Sequence, residues 1–185
     1  QLPHYVQKHN DFARKMHAVD PGLVLVGVGA VGDWSRGMLR DCADYMNMMS
    51  EHFYCGAMDN LVDHVQQIPN NIRRIADAHR AYRREIPELA GKDIRIAMDE
   101  WNYWYDHDRY VYGELGVRYR HRDALGVAAG LHEFFRQSDI IEMANYAQTV
   151  NVIGCIKTTR TKAFLSTTAL PLILKAAPRA AVIVA

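Results

Sequence analysis

Amphipathic stretches and short apolar runs alternate along the chain. Tyr5 to Ala18 spaces Val6, Phe12, Ala13 and Met16 as one face of a helix, and Asp20-Pro21-Gly22 ends it with turn residues. Leu23 to Val28 is a continuous apolar strand of the kind buried on both faces of a parallel sheet. A short helix over Ser35–Ala43 and a strand over Met46–Phe53 follow. Asn60–Gln66 predicts a short helix, and Pro69 suits the first turn of a longer one through Ile86, with Ile72, Ile75, His79, Tyr82 and Ile86 on one face. Gly91-Lys92-Asp93 leads into a strand from Ile94 to Met98. Arg122 or Asp123 opens a helix to Arg136 that is expected to bury Leu125, Val127, Ala128, Leu131 and Phe135. Ile140–Ala147 is the last strand, and a final helix begins near Thr167 or Thr168 and stops before Pro178. About four strand–helix units behind a leading helix predict an α/β fold with a parallel sheet and right-handed crossovers.

Composition narrows the function classes. Lys plus Arg is 22 against 21 for Asp plus Glu, which gives no electrostatic case for nucleic acid or an anionic membrane. Apolar residues make up 49% of the 185, an ordinary globular share, and no run approaches a membrane span. Three cysteines, Cys42, Cys55 and Cys155, form neither a disulfide framework nor a zinc motif. The chain starts at Gln1 rather than Met and shows no signal peptide, so a processed, trimmed or partial chain is expected, with a cytoplasmic setting.

The candidate chemistry gathers at the end of the strand beginning at Ile94. Asp99 and Glu100 follow a buried run directly, and burying carboxylates is costly unless they are used. In parallel α/β sheets ligands sit at the C-terminal strand ends. Alternation sends the two carboxylates to opposite faces, one toward a ligand and one into the scaffold. Trp101, Asn102, Tyr103, Trp104 and Tyr105 come next, and the polar, aromatic loop to His121 is long enough to be functional. Gly27, Gly29 and Gly32 fall at G-x-G-x-x-G spacing, but Asp33-Trp34-Ser35 is no suitable helix start and no ribose-binding acid follows, so a nucleotide is not expected. Glu51, His52 and Cys55, and the triplet Asp106-His107-Asp108, lack the spacing of a metal motif, so neither metal nor cofactor is expected.

Met98-Asp99-Glu100-Trp101-Asn102-Tyr103-Trp104-Tyr105 closely resembles the nucleophile motif of the α-L-arabinofuranosidases of glycoside hydrolase family 51. Ser50-Glu51-His52-Phe53-Tyr54, Asp123-Ala124-Leu125 and Ala147-Gln148-Thr149-Val150-Asn151-Val152-Ile153 fit the same family in the same order, and the resemblance runs from about Phe12 to about Leu174. It implies a (β/α)8 TIM-type barrel, of which residues 1–175 resemble the C-terminal half, with 176–185 a tail where a β-sandwich domain is expected next. It implies a retaining hydrolase that releases terminal α-L-arabinofuranosyl residues from hemicellulose or arabino-oligosaccharides, with Glu100 as nucleophile. Tyr54 fits a position that orients the nucleophile, and Gln148 one that bonds substrate or nucleophile. His52 either lines the same mouth or is a satisfied strand histidine. Trp101, Tyr103 and Trp104 could stack on a sugar face, with at least one of them in the core, and Trp101 is the candidate carried forward.

The resemblance places the acid/base glutamate outside this chain. Two expectations follow: an enzyme segment active with a complementary N-terminal half, or an incomplete half-barrel. The second would form a homo-oligomer or bind carbohydrate without turnover.

Overall fold

The computed structural model describes residues 1–105 and 116–176. Helices alternate with strands in the order α1 (Leu2–Val19), β1 (Val26–Val28), α2 (Asp33–Asp41), β2 (Met48–Cys55), α3 (Leu61–Glu85), β3 (Arg95–Tyr103), α4 (His121–Arg136) and β4 (Ile141–Tyr146). A hairpin of β5 (Ile156–Thr158) and β6 (Ala163–Leu165) then precedes α5 (Ala169–Ala176). The main sheet is ordered β1-β2-β3-β4, as the chain runs. β1 and β2 pair in parallel, Val26 opposite Met48 and Val28 opposite Ser50. Neighbouring strands separated by helices are what a mostly parallel sheet with crossover connections requires.

The first compact unit comprises Gln1–His52, Arg73–Asp99 and Gln137–Asn145. Its core packs Met38, Leu39 and Cys42 of and after α2 against Met46 and Met49, with Tyr82 and Ile86 from the end of α3 and with Leu89 and Ile94. The turn from β1 into α2 is fixed from below by Glu51. One oxygen of that buried carboxylate accepts from the Ser35 hydroxyl (2.6 Å) and lies 2.9 Å from His79 Nε2, and the other accepts the Val31 N–H. Gly29 lies so close to the Ser50 carbonyl that no Cβ fits, which explains one glycine of the supposed fingerprint by packing. Helix α2 also starts earlier than expected, at Asp33, and puts a carboxylate in the first turn, where a phosphate would otherwise sit.

The second unit comprises Phe53–Ile72, Glu100–Arg136 and Tyr146–Ala185. Its described core contains Phe53, Cys55, Ile68, Ile72, Trp101, Tyr103, Tyr105, Val117, Tyr119, Val127, Phe134 and Ile153. Asn60 caps α3, its side-chain oxygen accepting from the N–H groups of Val62 and Asp63. Asp123 reaches back to the Arg120 N–H at the start of α4, a capping-box contact.

Several expectations are corrected. The two helices foreseen over 60–86 are one, α3, with Pro69 inside it. Proline removes one helical donor, and the helix runs on because Ile68 and Ile72 before the next turn, and Ile75 and Ala76 after it, are all buried. Leu125 and Phe135 of α4 are exposed rather than buried, while Val127 and Phe134 take the core positions. The β5–β6 hairpin was not foreseen, and β3 extends through Tyr103 instead of ending at Met98. The triplet Asp106-His107-Asp108 and the tail beyond Ala176 lie outside the described residues.

Candidate active site

Glu100 stands on β3 with its neighbours Trp101, Asn102 and Tyr103 buried and itself exposed. The Tyr54 hydroxyl, from β2, donates to Glu100 Oε2 at 2.7 Å. The Trp104 N–H donates to the Cys55 carbonyl at 2.8 Å, so the ends of β2 and β3 are tied together at this point. The Tyr54 ring meets the Trp104 indole edge-on, with centroids 5.2 Å apart. A carboxylate held by a phenol beside an exposed aromatic face can attack an electrophilic carbon of a ligand stacked on that face.

Trp101, the tryptophan expected to face the sugar, is the buried one of the two. Trp101 is 1% exposed and is enclosed by Phe134 and Tyr146, whereas Trp104 is 50% exposed beside Tyr54. Strand alternation separates them: Trp101 shares its face with buried Tyr103, and Trp104 follows the parity of Glu100. Asp99 is half-buried, and its Oδ1 is buried without a hydrogen-bond partner among the described residues. His52, in the first unit, is exposed. Gln148 is exposed as well, one residue after Ala147, whose N–H donates to the Trp101 carbonyl at 3.2 Å. The structure thus brings Tyr54 onto Glu100 and attaches the Gln148 segment to the same strand.

Behind this surface lies a buried polar layer that the sequence did not announce. Asn102 is fully buried, its Nδ2 2.6 Å from the Ala147 carbonyl and 2.7 Å from that of Ile153. The Tyr119 hydroxyl donates to the Tyr103 carbonyl at 2.7 Å. His64 and Asp123 are both enclosed, with Nε2 to Oδ1 at 2.8 Å, and the Tyr103 ring stacks on the imidazole at 4.5 Å. The Tyr103 hydroxyl donates to the His64 carbonyl. Burial pushes the Tyr103, Tyr119 and Tyr146 hydroxyls above the ordinary phenol range. It also lowers the Lys157 ammonium to about 8. Among the described residues no group of His, Cys, Asp and Glu is arranged to hold a metal ion.

Comparison with known proteins finds α-L-arabinofuranosidases. A family model described as the α-L-arabinofuranosidase C-terminal domain matches residues 99–181. An intracellular exo-α-(1→5)-L-arabinofuranosidase of Bacillus subtilis is 28% identical over 79% of this chain and 33% of its own length. A probable α-L-arabinofuranosidase C of Aspergillus flavus is 31% identical over 92% of the chain and 37% of its own length. The crystal structure of the Thermotoga maritima α-L-arabinofuranosidase in complex with arabinose superposes with a TM-score of 0.82, at 25% identity, over 95% of this chain and 36% of that one. These matches support a family 51 α-L-arabinofuranosidase C-terminal region in this chain.

It spans about a third of the length of these family members. Glu100, Asn102, Trp104 and Tyr119 fall within the stretch that the family model covers, and Tyr54 and His64 precede it. Among the described residues no helix is long and apolar enough to cross a membrane.

Proposed function

We propose that this chain supplies the nucleophile half of a retaining α-L-arabinofuranosidase site, and that residues 1–175 are the C-terminal half of a (β/α)8 catalytic barrel. Glu100 attacks the anomeric carbon of a terminal α-L-arabinofuranosyl residue of hemicellulose or an arabino-oligosaccharide, and the bond to the leaving-group oxygen breaks. A second carboxyl group, from a glutamate outside these residues, gives that oxygen its proton. It then takes a proton from the water that hydrolyses the glycosyl ester, so two inversions retain configuration. Tyr54 orients Glu100, Trp104 offers the sugar an aromatic face, and Gln148 lines the mouth. No cofactor takes part. A cytoplasmic setting is in keeping with the intracellular relatives of Bacillus subtilis and Halalkalibacterium halodurans.

The observation that carries this reading is the 2.7 Å bond from Tyr54 to the exposed carboxylate of Glu100 on β3. The test is replacement of Glu100 in the hydrolytically active assembly. Glu100→Ala is expected to lose hydrolysis of an aryl α-L-arabinofuranoside and to regain turnover with azide, giving the inverted β-glycosyl azide. Retention of hydrolysis by Glu100→Gln, with its loss in Asp99→Asn, would move the nucleophile to Asp99.

A second reading rests on Val26 and Val28 of β1 and Met143 of β4, which are 43%, 46% and 39% exposed. Apolar side chains left open on a sheet are commonly covered by another chain. Under that reading the half-barrel associates with a second copy of itself, or binds arabinose-containing carbohydrate without turnover. Light scattering with the same aryl glycoside assay separates the two: a monomer that hydrolyses at ordinary enzyme rates excludes the second.

A further inference from the structure

Asn102 sits two residues after Glu100 on β3 and is fully buried. Its side-chain amide has only two hydrogens, and its nitrogen lies 2.6 Å from the Ala147 carbonyl, 2.7 Å from the Ile153 carbonyl and 2.9 Å from the Tyr119 hydroxyl. Its oxygen accepts the Tyr103 N–H at 2.7 Å. The two carbonyls bracket the stretch from Gln148 to Val152. Within it Asn151 and Val152 have φ of 52° and 43°. For a β-branched residue that left-handed conformation is strained, and it persists only where surrounding contacts over-determine it.

The contacts that do so converge on the same few peptide groups. The Val152 carbonyl accepts from the Val117 N–H at 2.6 Å and from the Lys157 ammonium at 3.1 Å. The Ile156 N–H donates to the Thr149 carbonyl and the Asn151 N–H to the Ile156 carbonyl. Gly116, at φ 76°, lies against the Val152 backbone where a Cβ would collide. Asn102 is the member of this set that belongs to the strand of the proposed nucleophile. Tyr119 stands behind it, its hydroxyl 3.0 Å from the Ile153 carbonyl.

We infer that Asn102 is a positioning residue: it clamps the strained 147–153 segment onto β3 and so holds Gln148 at a fixed place relative to Glu100. The inference rests on the proposed arabinofuranosidase site for its catalytic consequence, but the clamp itself is open to a separate measurement. Asn102→Asp keeps the shape and replaces both donors by an oxygen facing two carbonyls. Native-state hydrogen exchange of this variant is expected to speed up at least tenfold at the amides of Asn151, Gly154 and Ile156, with Ile96 and the helix amides unchanged. Unchanged exchange at those three amides overturns the clamp, whatever the activity.

The catalytic arm is a cycle with Gln148→Ala, assayed on an aryl α-L-arabinofuranoside. Asn102→Asp alone is expected to lower kcat/KM about 10–100-fold, and less than about threefold more when Gln148 is already alanine. Equal factors in both backgrounds mean that Asn102 does not act through Gln148, and overturn the positioning role. Should Asn102→Asp fail to fold, Tyr119→Phe, which removes one hydroxyl from the same layer, is expected to give the same pattern at smaller size. Faster exchange with no hydrolysis in any assembly would leave the clamp standing and sink the arabinofuranosidase reading instead.

Discussion

The hydroxyl of Tyr54 donates to the Glu100 carboxylate at 2.7 Å across 46 residues of sequence. A hydrogen bond to a charged acceptor is worth about 1.5–3 kcal/mol. Tyr54→Phe is therefore expected to lower kcat/KM on an arabinofuranoside by about 10–150-fold. Its unfolding midpoint should hardly move, since the ring keeps its edge contact with Trp104. Steady-state kinetics beside a thermal melt checks both halves; unchanged kinetics would remove Tyr54 from the site.

Trp101 and Trp104 should separate stability from binding. Trp101 is 1% exposed, so Trp101→Ala is expected to destabilise by about 3–5 kcal/mol in denaturant unfolding. Trp104 is 50% exposed, and Trp104→Ala is expected to raise KM several-fold with an unaltered melt. The opposite assignment of effects would show that the indole of Trp101 reaches substrate.

The proton on His64 can be placed from its partners. Nδ1 accepts the Met58 N–H, so Nε2 carries the hydrogen and donates to Asp123 Oδ1. Asp123 also holds the Arg120 N–H with its other oxygen, which ties the start of α4 to the same carboxylate. Asp123→Ala leaves the His64 Nε2–H and the Arg120 N–H without their acceptor, at about 1–3 kcal/mol each, so it should lower the denaturant midpoint sharply. A loss under about 1 kcal/mol would mark the pair as incidental to stability.

Lys157 is 1% exposed, and burial lowers its ammonium from 10.5 to about 8. Between those values the unfolded chain holds a proton that the folded chain has released. Stability therefore rises with pH from about 8 to about 10.5, and below 8 the cost of the buried charge is fully present. Lys157→Met is expected to melt higher than the parent at pH 7, with the gap closing toward pH 10. Melting curves that run parallel over this range would contradict the burial assignment.

Much of this was legible in the residues because it depends on periodicity and on one motif. The apolar run before Asp99-Glu100 gave the strand, and the face of Ile72, Ile75, His79, Tyr82 and Ile86 is buried as its spacing requires. The choice between Trp101 and Trp104 was open because it turns on where β3 ends, and strand alternation discriminates only once the strand is known to reach Tyr103. Pro69 misled because a breaker is a local signal, overridden by burial on both sides of it. The bonds of Asn102 to Ala147 and Ile153 had no signal at all, since an amide in an aromatic run looks the same whether it faces water or two distant carbonyls.

The enclosed phenols give the layer behind Glu100 an optical signature. The chain has ten tyrosines, and burial holds the hydroxyls of Tyr103, Tyr119 and Tyr146 protonated well past the pH at which a free phenol ionises. Tyr103 and Tyr119 are at the same time the donors that secure the His64 and Tyr103 carbonyls. They cannot become phenolates without giving up those bonds. An alkaline titration followed by ultraviolet absorbance should therefore show these chromophores silent and then appearing together, at the pH where the scaffold under the site lets go.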